Sequence, residues 1–248
     1  MATKSKIEWT EQTWNPVTGC TKVSPGCKNC YAEGMAHRLQ AMGTPGYEKG
    51  FDKITLLPER LNQPVKRKQP TLYFVNSMSD LFHERVPDSF IDEIFLVIAD
   101  TPHHSYQILT KRAERMHAYF MNRSVPDNAW LGVSVEDKNY GKPRIPYLQD
   151  IKAKTRFLSI EPLLEDVGRI RLKGIHWVIV GGESGPRARP MDERWAIKLR
   201  DQCTAAGVDF FFKQWGAWGA DGIKRSKRVN GRVLDGKTWD EIPMINLA

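Results

Sequence analysis

TLYFVNSMSDLFHERVPDSFIDEIFLVIADTPHHSYQILT, residues 71–110, decides the fold. Its opening run, Thr71 to Asn76, and its closing run, Ser105 to Leu109, are short, β-branched and aromatic, as strands are. Between them Pro87 and Asp88 signal a helix start, and Phe90, Ile91, Ile94, Phe95 and Ile98 make one apolar face over Asp88 to Asp100. Strands separated by a helix of this length pair in parallel, because a parallel partner is reached only through a long crossover. The same unit recurs downstream, with runs at Ala129 to Val135, Arg156 to Ile160, His176 to Val180 and Val208 to Phe212, and a second helix from Asp192 to about Ala206. Right-handed crossovers repeated in this way give an α/β chain wound as a partial or modified parallel (β/α) barrel.

In such folds ligands lie beyond the carboxyl ends of the strands. Those ends carry Ser77, Ser79 and Asp80; then Thr110, Lys111 and Arg112; then Ser134, Glu136 and Asp137; then Ser159 and Glu161; then Gly181, Gly182 and Glu183; and last Lys213 and Gln214. Six polar ends in succession imply a charged cavity at one mouth of the barrel. Lys111 and Arg112 suit a carboxylate or phosphate, with Arg able to grip it bidentately. Glu136 and Glu161 suit amino or hydroxyl groups, or a buried ion pair with those same cations. Gly181 and Gly182 allow close approach of a ligand to the backbone, and Glu183 accepts from an ammonium or from ribose hydroxyls. Trp14, Tyr31 and Trp215 either stack on a base or plug the barrel mouth.

The 248 residues are 41% apolar and 27% charged, the composition of a globular chain and not of a collagenous, coiled-coil or disordered one. No apolar run is long enough to cross a membrane, and the N-terminus lacks the apolar core of a signal peptide, which points to the cytoplasm and to no membrane partner. Thirty-seven basic against 29 acidic side chains leave +8, a surplus that favours polyanionic partners. The division expected is a barrel domain over 1–215, with an N-terminal cysteine loop, and a small appendage over 216–248 packed through Trp239. That appendage carries the basic run Lys224, Arg225, Lys227 and Arg228.

Three of the four cysteines, Cys20, Cys27 and Cys30, form C-x6-C-x2-C, and Ser24-Pro25-Gly26 supplies turn chemistry that folds the first toward the others. His37 would complete a zinc set on paper. Tyr31 to Met42 reads as a helix, however, with Tyr31, Met35, Leu39 and Met42 on one face, and this carries His37 about 10 Å along the axis from Cys30. Three thiolates with a fourth position open are the arrangement of a [4Fe-4S] cluster whose unique iron binds substrate or cofactor. Cys203 lies on the Ala196, Leu199, Cys203, Ala206 face of its helix and reads as core.

The strings WTEQTWNPVTGCTKVSPGCKNC (9–30), VNSMSDLF (75–82), ILTKR (108–112), LGVSVE (131–136), FLSIEPLL (157–164), VIVGGESGP (178–186) and FFFKQWG (210–216) resemble the phage-associated three-Cys-motif family, which is similar to radical S-adenosylmethionine (SAM) enzymes. The resemblance implies a partial barrel of the radical SAM type. It implies Cys20, Cys27 and Cys30 as ligands of a [4Fe-4S] cluster in the loop after the first strand, and SAM as cofactor. Tyr31, Ser77, Asp80, Lys111, Arg112, Ser134, Glu136, Glu161, Gly181, Gly182 and Glu183 are the expected cofactor contacts. The function expected is radical chemistry on a nucleic acid or nucleotide, with a reductant protein as electron donor and a protein partner encoded nearby. The alternative is a non-catalytic protein, stabilised by zinc or a structural cluster, that binds nucleic acid or a partner.

Overall fold

The computed structural model describes residues 3–5 and 7–244, so the last four residues of the expected appendage lie outside the described residues. In chain order the elements are β1 (Thr3–Lys4), β2 (Gln12–Trp14), β3 (Val17–Thr18), α1 (Tyr31–Ala41), β4 (Thr55–Leu56), α2 (Gln63–Lys66), β5 (Leu72–Val75), α3 (Asp88–Asp100), β6 (Ser105–Thr110), α4 (Ala113–Phe120), β7 (Ala129–Ser134), α5 (Arg144–Asp150), β8 (Thr155–Ile160), β9 (Trp177–Gly181), α6 (Glu193–Ala206), β10 (Asp209–Gln214) and α7 (Lys227–Asn230). All six runs expected as strands are strands. The sequence reading overlooked β2, which is short and polar, and the helices α4 and α5.

One eight-stranded sheet has the order β1-β2-β5-β6-β7-β8-β9-β10. β1 joins β2 antiparallel, and from β2 to β10 every pairing is parallel. Each parallel strand lies beside the preceding strand of the sheet, so the winding never reverses and the helices collect on one face, as a partial (β/α) barrel requires. A separate antiparallel pair, β3 with β4, flanks it. Among the described residues no helix is long and apolar enough to cross a membrane.

The two faces of the sheet bury different cores. On the helix side, Tyr73, Val75, Ile108, Leu131, Leu158 and Val178 meet the apolar stripes of α3 to α6, including Ile91, Met116, Leu148 and Leu199. On the inner side, Trp9, Leu72, Phe74, Trp130, Phe157, Trp177, Ile179 and Phe211 form a second cluster. Trp177 is its centre, with ring centroids of Trp9 and Phe211 at 6.0 Å and of Trp130 at 6.1 Å. Most of these residues lie in the amino-terminal halves of their strands, so the aromatic layer fills that end of the inner face and leaves the carboxyl end to polar side chains.

The C-terminal segment covers the β10 edge. Phe212 N donates to Trp239 O at 2.9 Å, Phe211 bridges Asp240, Leu234 is buried, and Trp177 Nε1 donates to Glu241 O at 2.8 Å. An open parallel edge is thereby denied to other chains.

Two helix faces differ from expectation. α1 buries Ala32 and Ala36 and leaves Tyr31, Met35 and Met42 exposed, because its small-residue face allows close approach to Tyr47, Phe51 and Met78. In α6, Ala196, Leu199 and Cys203 are buried as expected, while Ala206, in the last turn, is exposed.

Trp177→Ala removes the centre of the inner cluster and the tail's indole anchor together. The expected loss is about 4 kcal/mol in urea unfolding, with proteolysis of the chain after residue 215 accelerated at sub-denaturing urea.

Candidate functional site

The cysteines lie on the loop between the first parallel strand of the sheet, β2, and α1. Past β3 the chain runs beside the loop that ends β5: Gly19 bridges Ser79, and Ser79 Oγ donates to Val17 O at 2.8 Å. Cys20 N donates to Phe51 O, a 3-10 turn spans Pro25–Cys27, and Cys30 caps α1. All three thiols are free and half-buried, whereas Cys203 has 0% exposure in the core. Ser24 Oγ lies 3.7 Å from Cys27 Sγ.

Three carboxylates at three strand ends fix this loop. After β5, Asp80 accepts from Phe82 N, Thr110 Oγ1 and Lys111 N, and its Oδ2 takes Arg112 Nη1 at 3.2 Å. The same guanidinium donates to Thr21 O at 3.2 Å and Thr21 Oγ1 at 2.9 Å, reaches Cys20 Sγ at 3.8 Å, and closes on Glu84 at 2.7 Å. His83 Nδ1 accepts from Arg85 N, so its Nε2 carries the proton given to Thr21 Oγ1 at 2.8 Å. Burial, with the Arg112 charge beside it, lowers the His83 pKa, which keeps the ring neutral.

After β7, Glu136 has 0% exposure and accepts from Ser24 Oγ on the loop and from Arg144 Nη1. Lys111 Nζ is 4.0 Å away and donates to Ser134 Oγ at 2.9 Å. Burial opposes the charge on Glu136, but the Lys111 and Arg144 cations and the Ser24 hydroxyl outweigh it and hold the carboxyl below its ordinary value. Gly26 packs flat on this carboxylate: a Cβ there would collide with Glu136 Cγ.

After β9, Glu183 accepts from Asn29 Nδ2 at 3.0 Å, Arg189 N at 2.8 Å and Arg189 Nη2 at 2.6 Å. Arg189 Nη2 also donates to Pro25 O, and Asn29 Nδ2 to Arg187 O. Burial again opposes the charge, and the Arg189 and Asn29 donors outweigh it. Burial, with Asp80 adding to it, pushes the Cys20 thiol up to about 11.

The remaining expected contacts are placed as follows. Ser134 and Ser159 are register partners on the inner face, above the aromatic layer. Glu161 pairs with Lys213 Nζ at 2.7 Å on the same side of the mouth. Tyr31 is 59% exposed, and its hydroxyl donates to Ser77 O at 2.6 Å. Gly182 is packed against its own chain, since a Cβ there would strike Trp215 O; Gly181 has Glu161 as its near neighbour. Trp14 and Trp215 are buried in the helix-side core, so neither is a stacking surface. Arg112, read as an anion grip, has its guanidinium engaged by the loop and by Asp80 and Glu84. The residues missed by sequence reading are Ser24, Asn29, Arg144 and Arg189. Asn29, between two cysteines, and Arg189, six residues past Glu183, had position as their only signal.

Among the described residues no group of three or more His, Cys, Asp or Glu side chains is arranged to hold a metal ion. The donor types suit an iron–sulfur cluster, three free, half-buried thiols on one loop over the strand ends, although the three are not gathered into a metal-binding group among the described residues.

A family model described as "Protein of unknown function (DUF5131)" matches residues 4–243. The chain belongs to this family. It has no match among curated proteins. Among solved structures it is similar to two mutant forms of spore photoproduct lyase. The first has a TM-score of 0.51 at 14% identity, covering 74% of this chain and 58% of that one. The second has 0.52 at 14%, covering 83% and 75%. The chain therefore spans less than two thirds of the first neighbour's length. The likeness is one of fold: this DUF5131 chain is a partial barrel like that of spore photoproduct lyase.

The Glu183 carboxyl is held below its ordinary value, so its contribution to stability is complete at neutral pH and is lost as pH falls through the folded value. Glu183→Gln should cost about 2 kcal/mol at pH 7, and its gap to the wild type in urea unfolding should be smaller at about pH 3, below the ordinary carboxylate range. An equal gap at both pH values would assign the effect to packing instead of charge.

Proposed function

We propose that this chain is a radical SAM-type enzyme that acts on a nucleic acid or nucleotide. The observation that carries this reading is the cysteine loop itself, tied by Asp80, Glu136 and Glu183 over the carboxyl end of a parallel half-barrel. A purely structural metal would not need three buried carboxylates to register its loop against a polar mouth. Cys20, Cys27 and Cys30 would hold the [4Fe-4S] cluster. Loaded with the cluster and SAM and given one electron from a reductant protein, the site would supply reductive cleavage of SAM to methionine and a hydrogen-abstracting 5′-deoxyadenosyl radical.

The protein's part is orientation and exclusion of water. Asp80 with Arg112, Glu136 with Ser24, and Glu183 with Asn29 and Arg189 fix the loop. Lys111, Ser134 and Glu161, on the inner face and mouth, would offer a cation, a hydroxyl and a carboxylate to SAM's carboxylate, ribose and ammonium in exchange for their present partners. Tyr31 and Ser77 bound the loop side, and the backbone at Gly181, beside Glu161, completes the wall. The aromatic layer beneath closes the barrel to water from the other end. The basic surplus supports a polyanionic substrate.

Anaerobic reconstitution with iron and sulfide should yield a brown protein with about four iron per chain, which forms 5′-deoxyadenosine from SAM and dithionite. Cys20→Ala, Cys27→Ala and Cys30→Ala should each lose iron and product, while Cys203→Ala keeps both. Full iron occupancy in Cys27→Ala, or a colourless protein with stoichiometric zinc, would overturn the assignment.

A further inference from the structure

Residues 184–189 form a strap with two sides. One side is tied to the cysteine loop: Asn29 Nδ2 donates to Arg187 O at 2.9 Å and Arg189 Nη2 to Pro25 O at 3.1 Å. The other side is the wall of a groove of about 470 Å³, whose lining includes Ser184, Gly185, Lys224, Arg225, Ser226 and Lys227. Lys224 Nζ donates to Pro186 O and lies 5.5 Å from the Trp218 ring centre, which draws the basic run against the strap.

We propose that this groove binds the phosphodiester backbone of a nucleic-acid strand and leads it to the cysteine loop. The inference deepens the function proposed above, on which it rests, by naming the polymer and where it lies.

The chemistry of the lining matches phosphate. Lys224, Arg225 and Lys227 bring three cations to the lining and Arg228 follows them in the chain, against which the structure sets two carboxylates: Asp221 on Arg225 at 2.6 Å and Glu8 on Lys227 at 3.4 Å. The exposed Arg228 has no ion pair among the described residues, and neither do Lys28 and Arg187, which continue the basic line from the groove to the cysteines. Ser184 accepts from Gln214 Nε2 at 2.8 Å, and neither its hydroxyl nor that of Ser226 donates to any group among the described residues. Both are spare donors for phosphate oxygens. Gly185 has φ +102°, and the space where its Cβ would stand is open, so a ligand can reach the main chain there. An acidic protein partner fits less well, because the lining has no large aromatic or aliphatic anchor of the kind that dominates protein interfaces.

The test is fluorescence anisotropy with labelled single-stranded DNA, single-stranded RNA and duplex DNA, on the reconstituted protein. Two groove variants are used, Lys224→Glu with Lys227→Glu, and Lys227→Glu with Arg228→Glu, the second leaving Lys224 on the strap. The control is Lys152→Glu with Lys173→Glu, the same charge change on exposed residues preceding β8 and β9, at the opposite end of the sheet. Both groove variants should weaken binding at least tenfold and flatten the salt dependence of log K by about 1.4 for two phosphate contacts to a single strand, with the control within threefold of wild type. Equal weakening in groove and control variants, or no wild-type binding to any of the three at about 50 mM salt, overturns the groove. Formation of 5′-deoxyadenosine without substrate reads the enzyme assignment separately. No wild-type binding while that product still forms sinks the groove alone; binding present and groove-dependent without that product leaves the groove standing and sinks the enzyme.

Discussion

Glu136 has no exposed surface, and a carboxylate in that position must be paired or it would not be charged. Its partners come from three parts of the chain: Arg144 from α5, Lys111 from the end of β6, and Ser24 from the cysteine loop. The loop is thus one of the groups that make burial of this charge tolerable. The loop's position and the carboxylate's ionisation depend on each other. Glu183 repeats the arrangement, a buried carboxylate satisfied by Arg189 and by the loop donor Asn29, and Asp80 reaches the loop at one remove, through Arg112, which donates to Thr21. A loop with few apolar side chains cannot be held by hydrophobic burial, and these charge-assisted hydrogen bonds supply the geometry instead.

The inner face of the sheet separates two demands. Its amino-terminal half is filled by edge-to-face aromatic rings around Trp177, and its carboxyl-terminal half carries Ser134, Ser159, Lys111, Glu161 and Lys213. The rings supply the burial that a half-open barrel would otherwise lack on this face, and they give the polar end a dry floor. Gly132 belongs to the same logic: its inner position is filled by the Phe157 ring, so any side chain there would displace it. The C-terminal segment extends the scheme sideways, covering β10 and reaching Trp177 through the Glu241 carbonyl.

The strand and helix pattern was legible in the sequence because its causes are local. Asp88 to Asp100 follows from a proline-led start and one apolar stripe, and the strand runs follow from β-branched and aromatic content ended by polar residues. The parallel order was legible too, since each crossover is too long for a hairpin. β2 was not, because three residues with two polar members carry no periodicity and become a strand only by pairing with β5. The face of α1 was misread for a related reason: size, not hydrophobicity alone, decides which side packs, and Ala32 and Ala36 allow an approach that Met35 would prevent.

For the candidate site, the sequence by itself determined the inventory: three cysteines at fixed spacing, a turn between them, and a polar residue set at each strand end. Only the tertiary structure decided the partners. Glu183 finds Asn29 across 154 residues and Glu136 finds Ser24 across 112, contacts that no local rule links. Trp14 and Trp215 look like stacking surfaces in a string and are packed core in three dimensions. The physical reason is that spacing along the chain fixes which groups are available, whereas the balance between desolvating a charge and pairing it is struck only where distant strand ends converge.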